Sequence, residues 1–120
     1  MIDLHCHSTA SDGTCSPSEL ITLAKNARLS ALALTDHDTT AGLPEFLEAA
    51  KAQDFDGIPG IELAGRDQRQ HSFHILGLFI QPDHPGLLEI TQQILQWRNE
   101  RNYNIIAKLN QLGLDISLAD

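Results

Sequence analysis

His5-Cys6-His7 is the first place where this sequence can do chemistry. Residues two apart on a strand point to the same side, so both imidazoles can converge on one ion while Cys6 faces away. Neutral imidazole is the commonest side-chain ligand for transition metals. Asp36-His37-Asp38 offers a third imidazole, and Glu62, in Gly60-Ile61-Glu62, offers a carboxylate whose two oxygens can bridge two ions. His74, ahead of Ile75-Leu76-Gly77-Leu78, and Asp12, in Ser11-Asp12-Gly13, complete the candidate set. Each of these residues also has an ordinary role open to it. Asp12 suits a turn, the Asp36 segment suits a helix cap, Glu62 suits a solvated sheet end, and His74 suits packing in a strand. Their joint placement favours chemistry. His5/His7, His37 and Glu62 all follow short apolar runs, and in a parallel α/β fold the loops after the strands meet on one rim where ligands bind.

The elements that must position these groups follow from local pattern. Residues 2–4 read as a short strand and residues 8–15 as a polar loop turning at Asp12-Gly13. Ser16-Pro17-Ser18-Glu19 predicts a helix start, with Ser16 as cap, Pro17 in the first turn and Glu19 closing a capping box. Leu20, Leu23, Ala24 and Ala27 share one face of that helix. Strands are expected at 31–35, 58–63 and 74–80, with a helix from Leu43 to Ala52 and a polar approach at 66–70. A long amphipathic helix is expected over 86–112. Leu87, Ile90, Ile94, Leu95, Ile105, Ile106, Leu109 and Leu112 form its apolar face, and Gly113 is its stop. The alternation predicts a parallel sheet with right-handed crossovers. Ser117-Leu118-Ala119-Asp120 has the form of another helix start, so the 120 residues read as the front part of a larger fold.

Composition narrows the function classes. With 8 Lys+Arg against 16 Asp+Glu the chain has a formal charge of -8, so no basic field attracts a nucleic-acid backbone or an anionic membrane. A small phosphate substrate stays compatible where a bound metal supplies the positive charge. At 120 residues, 42% hydrophobic and 20% charged, the chain is expected to form at most one folded domain. The first residues show neither a basic start nor a long apolar run, so no secretory signal is expected. No apolar stretch approaches the ~20 residues of a membrane helix. Cys6 and Cys15 are then expected as free thiols in a reducing cytoplasm.

The segments His5-Cys6-His7-Ser8, Ser11-Asp12-Gly13, Thr35-Asp36-His37-Asp38, Gly60-Ile61-Glu62 and His74-Ile75-Leu76-Gly77 occur in an order and spacing that resembles the polymerase and histidinol phosphatase (PHP) family. The stand-alone branch of these metal-dependent phosphoesterases, acting on small phosphoesters such as nucleoside phosphates, looks closest. The resemblance implies an α/β fold, with residues 1–120 forming the N-terminal part of a distorted (β/α)7 barrel. It implies two or three divalent ions, manganese, zinc or iron. His5 and His7 would hold one, Glu62 would bridge it to a second on which His74 also sits, and Asp12 and His37 would hold the third. Glu62, His37 and Asp12 would then carry the catalysis, in which the ions activate water for attack on phosphorus. The family's later metal-binding motifs have no counterpart here, and no histidine follows His84. The chain is therefore expected to hold about half of a site. His84 reads as a turn residue and His71 as solvated. Arg98 and Arg101 can share a helix face as a phosphate clamp, or form a solvated face. Two other functions fit the same motifs: an amidohydrolase-type metal hydrolase, which also opens with His-x-His, and a catalytically incomplete metal-binding regulatory module.

Overall fold

The computed structural model describes residues 1–69 and 71–117. The chain divides into two units, Met1–His84 and Pro85–Asp120. The first contains β1 (Ile2–Cys6), α1 (Pro17–Asn26), β2 (Ala31–Leu34), α2 (Leu43–Ala52), β3 (Asp56–Arg66) and β4 (Ser72–Leu78). The second contains α3 (Pro85–Gln111).

The capping box forms as its sequence predicts. Glu19 N donates to Ser16 Oγ (3.3 Å), and Ser16 N donates to Glu19 Oε2 (2.8 Å). By contrast, α2 begins at Gly42 with no side-chain cap. Neither Asp36 nor Asp38 caps it, and the helix approach is instead turned by Thr39 Oγ1, which accepts from Ala41 N.

The sheet order is β1-β2-β3-β4. β1, β2 and β3 run parallel, joined by the α1 and α2 crossovers. β2 is central and all four of its residues are buried, so it reads as a continuous apolar run rather than an alternating one. Leu32 and Leu34 pack with Ile21, Ala24, Leu43, Phe46 and Ala50 of the two helices. Ala31 and Ala33 lie on the other face with Ile58 and Leu78.

Two features depart from the expected parallel sheet. β4 runs antiparallel to β3, from Gly60↔Leu78 to Arg66↔Ser72. The connection 67–71 is too short for a parallel return, which takes a dozen residues or more. It closes instead as a hairpin in which Asp67 N donates to His71 O (3.0 Å), and Asp67 Oδ1 accepts from Arg69 N and His71 N (2.8 Å each). The second departure is in β1, where the pairing slips by one residue between Asp3↔Leu32 and Cys6↔Leu34. Without that slip His5 would align with Leu34 on the helix-packed side. With it, Cys6 takes that place and joins the helix-side core, a re-aiming of side chains that β-bulges commonly produce.

In the second unit α3 carries no buried residue, although its sequence had the pattern of a packing face. Gly113 ends it at φ 90°, with Leu114 N donating back to Leu109 O (3.1 Å). The helix start read at 117–120 falls largely outside the described residues. Among the described residues no helix is long and apolar enough to cross a membrane.

Candidate metal centre

Glu62 is the hub of the site. It lies on β3, one residue beyond Ile61 of the core, and is 5% exposed. Parallel pairing continues past the end of β2 as a single bridge, His37↔Glu62, in which Glu62 N donates to Asp36 O (3.1 Å) and Asp38 N to Glu62 O (2.9 Å). Asp38 makes this possible by adopting a left-handed backbone (φ 54°), which aspartate tolerates better than most residues.

Four imidazoles surround the Glu62 carboxylate. His5 Nε2 (2.9 Å), His7 Nε2 (3.0 Å) and His37 Nδ1 (3.5 Å) face Oε2, while His74 Nδ1 (2.8 Å) faces Oε1. Asp12 approaches from the loop after β1, with Oδ1 3.2 Å from His7 Nδ1 and Oδ2 3.6 Å from His37 Nε2. Burial would raise the Glu62 carboxyl, but the His5 hydrogen bond and the charges of His37, His5 and His74 outweigh it and hold the group below the usual carboxylate range. The structure thus brings together all six residues that the sequence singled out: His5, His7, Asp12, His37, Glu62 and His74.

The donor set suits a divalent cation. His7 Nδ1 and His37 Nδ1 are buried, and although they stand 3.2 Å from Asp12 Oδ1 and 3.5 Å from Glu62 Oε2, neither forms a well-directed hydrogen bond among the described residues. An unmade buried hydrogen bond costs about 1–3 kcal/mol, and a cation is a natural partner for the lone pair of a neutral imidazole. Three trios have ligand atoms within 4.8 Å of one another: His5/His7/Glu62, His7/Asp12/His37 and His37/Glu62/His74. All the donors are nitrogen or carboxylate oxygen, a set that suits zinc, manganese or iron. Cys6 takes no part. Burial, with the charge of Asp3 adding to it, pushes its thiol up, and both cysteines are free.

The other candidates belong to none of the donor trios. His71 is exposed and pairs with Asp67 (3.0 Å). Arg98 and Arg101 stand on α3, in the second unit, where Arg101 Nη2 donates to Asn102 Oδ1 (3.3 Å). For the buried polar residues Ser8, Asp36 and Asp38 the sequence offered no site role, only a helix cap for the Asp36 segment. Ser8 (0% exposed) and Asp36 (2%) bond to each other, and Asp38 Oδ1 accepts from Ala64 N (2.8 Å). The signal available for them was their adjacency to His7 and His37.

With this geometry in place, sequence comparison identifies the class: the chain belongs to the PHP domain family, whose sequence model matches residues 3–115. It is similar, at 40% identity over 112 residues, to a 5′-3′ exoribonuclease of Haemophilus influenzae, a match covering 93% of this chain and 40% of that protein. It is also 40% identical over 113 residues to a 3′,5′-nucleoside bisphosphate phosphatase of Chromobacterium violaceum, covering 94% of this chain and 39% of that one. A crystal structure described as a metal-dependent phosphoesterase of Bifidobacterium adolescentis matches with a TM-score of 0.85 at 29% identity, over 98% of this chain and 41% of that chain. The chain spans about two fifths of the length of these relatives. Its parallel strands and crossover helices form an α/β half-barrel of the kind found in PHP barrel proteins.

Proposed function

We propose that this domain takes part in metal-dependent hydrolysis of phosphoester bonds in a small phosphorylated substrate of the nucleoside phosphate class. The observation that carries the proposal is the division of Glu62: one oxygen faces His5 and His7 and the other faces His74, as a bridge between two cations would require. In this reading His5, His7 and Glu62 would hold one ion, Glu62 and His74 a second, and Asp12 and His37 a third. Bound divalent ions supply Lewis acidity and lower the pKa of water at the site. The chain's own residues keep the donors converged and open to substrate. The side chains of His5 and His74 are half exposed and that of Asp12 is 65% exposed, whereas Glu62 is closed off beneath them.

The names of the two relatives share a phosphoester substrate and differ in its size. The charge of -8 favours the small substrate here. Two free thiols suit a reducing cytoplasm as the place of action. The test is phosphate release from nucleoside phosphates with added Mn²⁺, together with elemental analysis, on this chain and on a chain of the relatives' length. The longer chain should hydrolyse and the shorter should show negligible turnover. Glu62→Gln should lower the metal content of both. Hydrolysis that persists undiminished after chelation, or a Glu62→Gln chain with wild-type metal content, would overturn the reading.

A further inference from the structure

We propose that Asp36, which belongs to none of the donor trios, is the positioning residue that holds the Asp12 loop against His37. The inference rests on the metal-centre reading above and concerns how its Asp12/His37 part is built. The Asp36 carboxylate is buried, and its oxygens are occupied by donors from one segment. Oδ1 accepts from Ser8 N (2.7 Å) and Ser11 Oγ (2.6 Å), and Oδ2 accepts from Ser8 Oγ (2.7 Å). Ser8 follows His7 and Ser11 precedes Asp12, so these bonds fix both ends of the turn that presents Asp12. Asp36 itself precedes His37, and its carbonyl accepts from Glu62 N (3.1 Å). One residue therefore ties together the three chain segments that supply His7, Asp12, His37 and Glu62.

Three further observations fit this role. Ser8 Oγ also accepts from Ala10 N (3.1 Å), so the hydroxyl relays the anchor into the loop. A Cβ on Gly42 would stand 2.9 Å from Asp36 Oδ2, 3.1 Å from Ser8 Oγ and 3.2 Å from Ala10 Cβ, so the start of α2 leaves room for this network. Bonds to an ionised acceptor are about twice as strong as neutral ones, which suits an anchor that must hold a loop carrying its own carboxylate. A ligand role for Asp36 is disfavoured because three donors already occupy three of its about four lone-pair sites and it joins none of the donor trios.

The experiment titrates the full chain with Co²⁺, followed by visible absorption, alongside thermal unfolding. Asp36→Asn, Ser11→Ala and Ser11→Thr are compared with the reference variants His37→Ala and His5→Ala. Loss of a group supporting a metal site typically costs about 10–100-fold in affinity. Asp36→Asn should weaken by that factor the same class of Co²⁺ site that His37→Ala removes, and leave the class removed by His5→Ala within about twofold. Ser11→Ala should act in the same direction, and Ser11→Thr, which keeps the hydroxyl, should restore binding. A merely structural role would lower the unfolding temperature and weaken all classes together, and that outcome overturns the inference. So does unchanged Co²⁺ binding in Asp36→Asn and Ser11→Ala. A wild-type chain that takes up no Co²⁺ overturns the metal-centre reading itself, and this inference with it.

Discussion

Replacing Gly13 by alanine should dismantle the Asp12 side of the cluster. A Cβ built on Gly13 lies 2.2 Å from His7 O, 2.5 Å from His7 C and 2.8 Å from Ser8 N. Ordinary carbon–oxygen contacts stand at about 3.3–3.6 Å, so the gap must open by roughly 1 Å. All three neighbours are backbone, and no side chain can swing aside. The turn is also held from within, by Gly13 N to Ser8 O (2.9 Å) and Ser11 N to Ser8 O (3.1 Å). Asp12 is covalently next to the displaced residue, and its oxygens stand only 3.2 Å from His7 and 3.6 Å from His37. A metal or catalytic constellation tolerates about 0.5 Å of displacement, and a 1 Å misplacement can cost about 10²-fold. The stability cost expected of such overpacking is about 1–3 kcal/mol. Isothermal titration with Mn²⁺ and a thermal melt on the same sample measure both effects. Wild-type affinity together with an unchanged melting temperature would refute the reasoning, since the steric conflict would then have no consequence.

The remaining predictions are independent of that loop. Cys6→Ser should leave metal content nearly unchanged, while His7→Ala should lower it; elemental analysis showing the opposite pattern would rule out the histidine–carboxylate assignment. Phe46→Ala, at a side chain with 0% exposure in the helix-side core, should cost about 3–5 kcal/mol by urea unfolding. The Glu19 carboxyl is held low by the backbone and side-chain hydrogen bonds of Ser16, so its folded value lies below the usual ~4.3. Its contribution to stability is then present above that value and is lost as pH falls through the folded one. The stability gap between wild type and Glu19→Gln should accordingly shrink between pH 6 and pH 3, and a gap that stays constant would contradict the capping-box origin.

What the sequence by itself determined is local. The Ser16–Glu19 box, the α2 span Leu43–Ala52 and the stop at Gly113 depend on hydrogen bonds and backbone preferences within a few residues, and all three were legible. The candidate donors were legible too, because residue type and position after a strand are properties of the string. The direction of β4 was also within reach of the sequence, through the shortness of the 67–71 connection, yet the alternation of apolar runs pointed to a parallel strand. Other features were decided only by the tertiary structure. The slip in β1 that puts Cys6 rather than His5 beside Leu34 exists only once two distant strands pair. The role of Asp36 was hidden for the same reason. An aspartate after a strand is locally a good helix cap, but its partners Ser8 and Ser11 lie 28 and 25 residues earlier. Which acceptor a buried carboxylate becomes depends on the donors that folding brings to it, and those are set by sheet order rather than by neighbours in the chain.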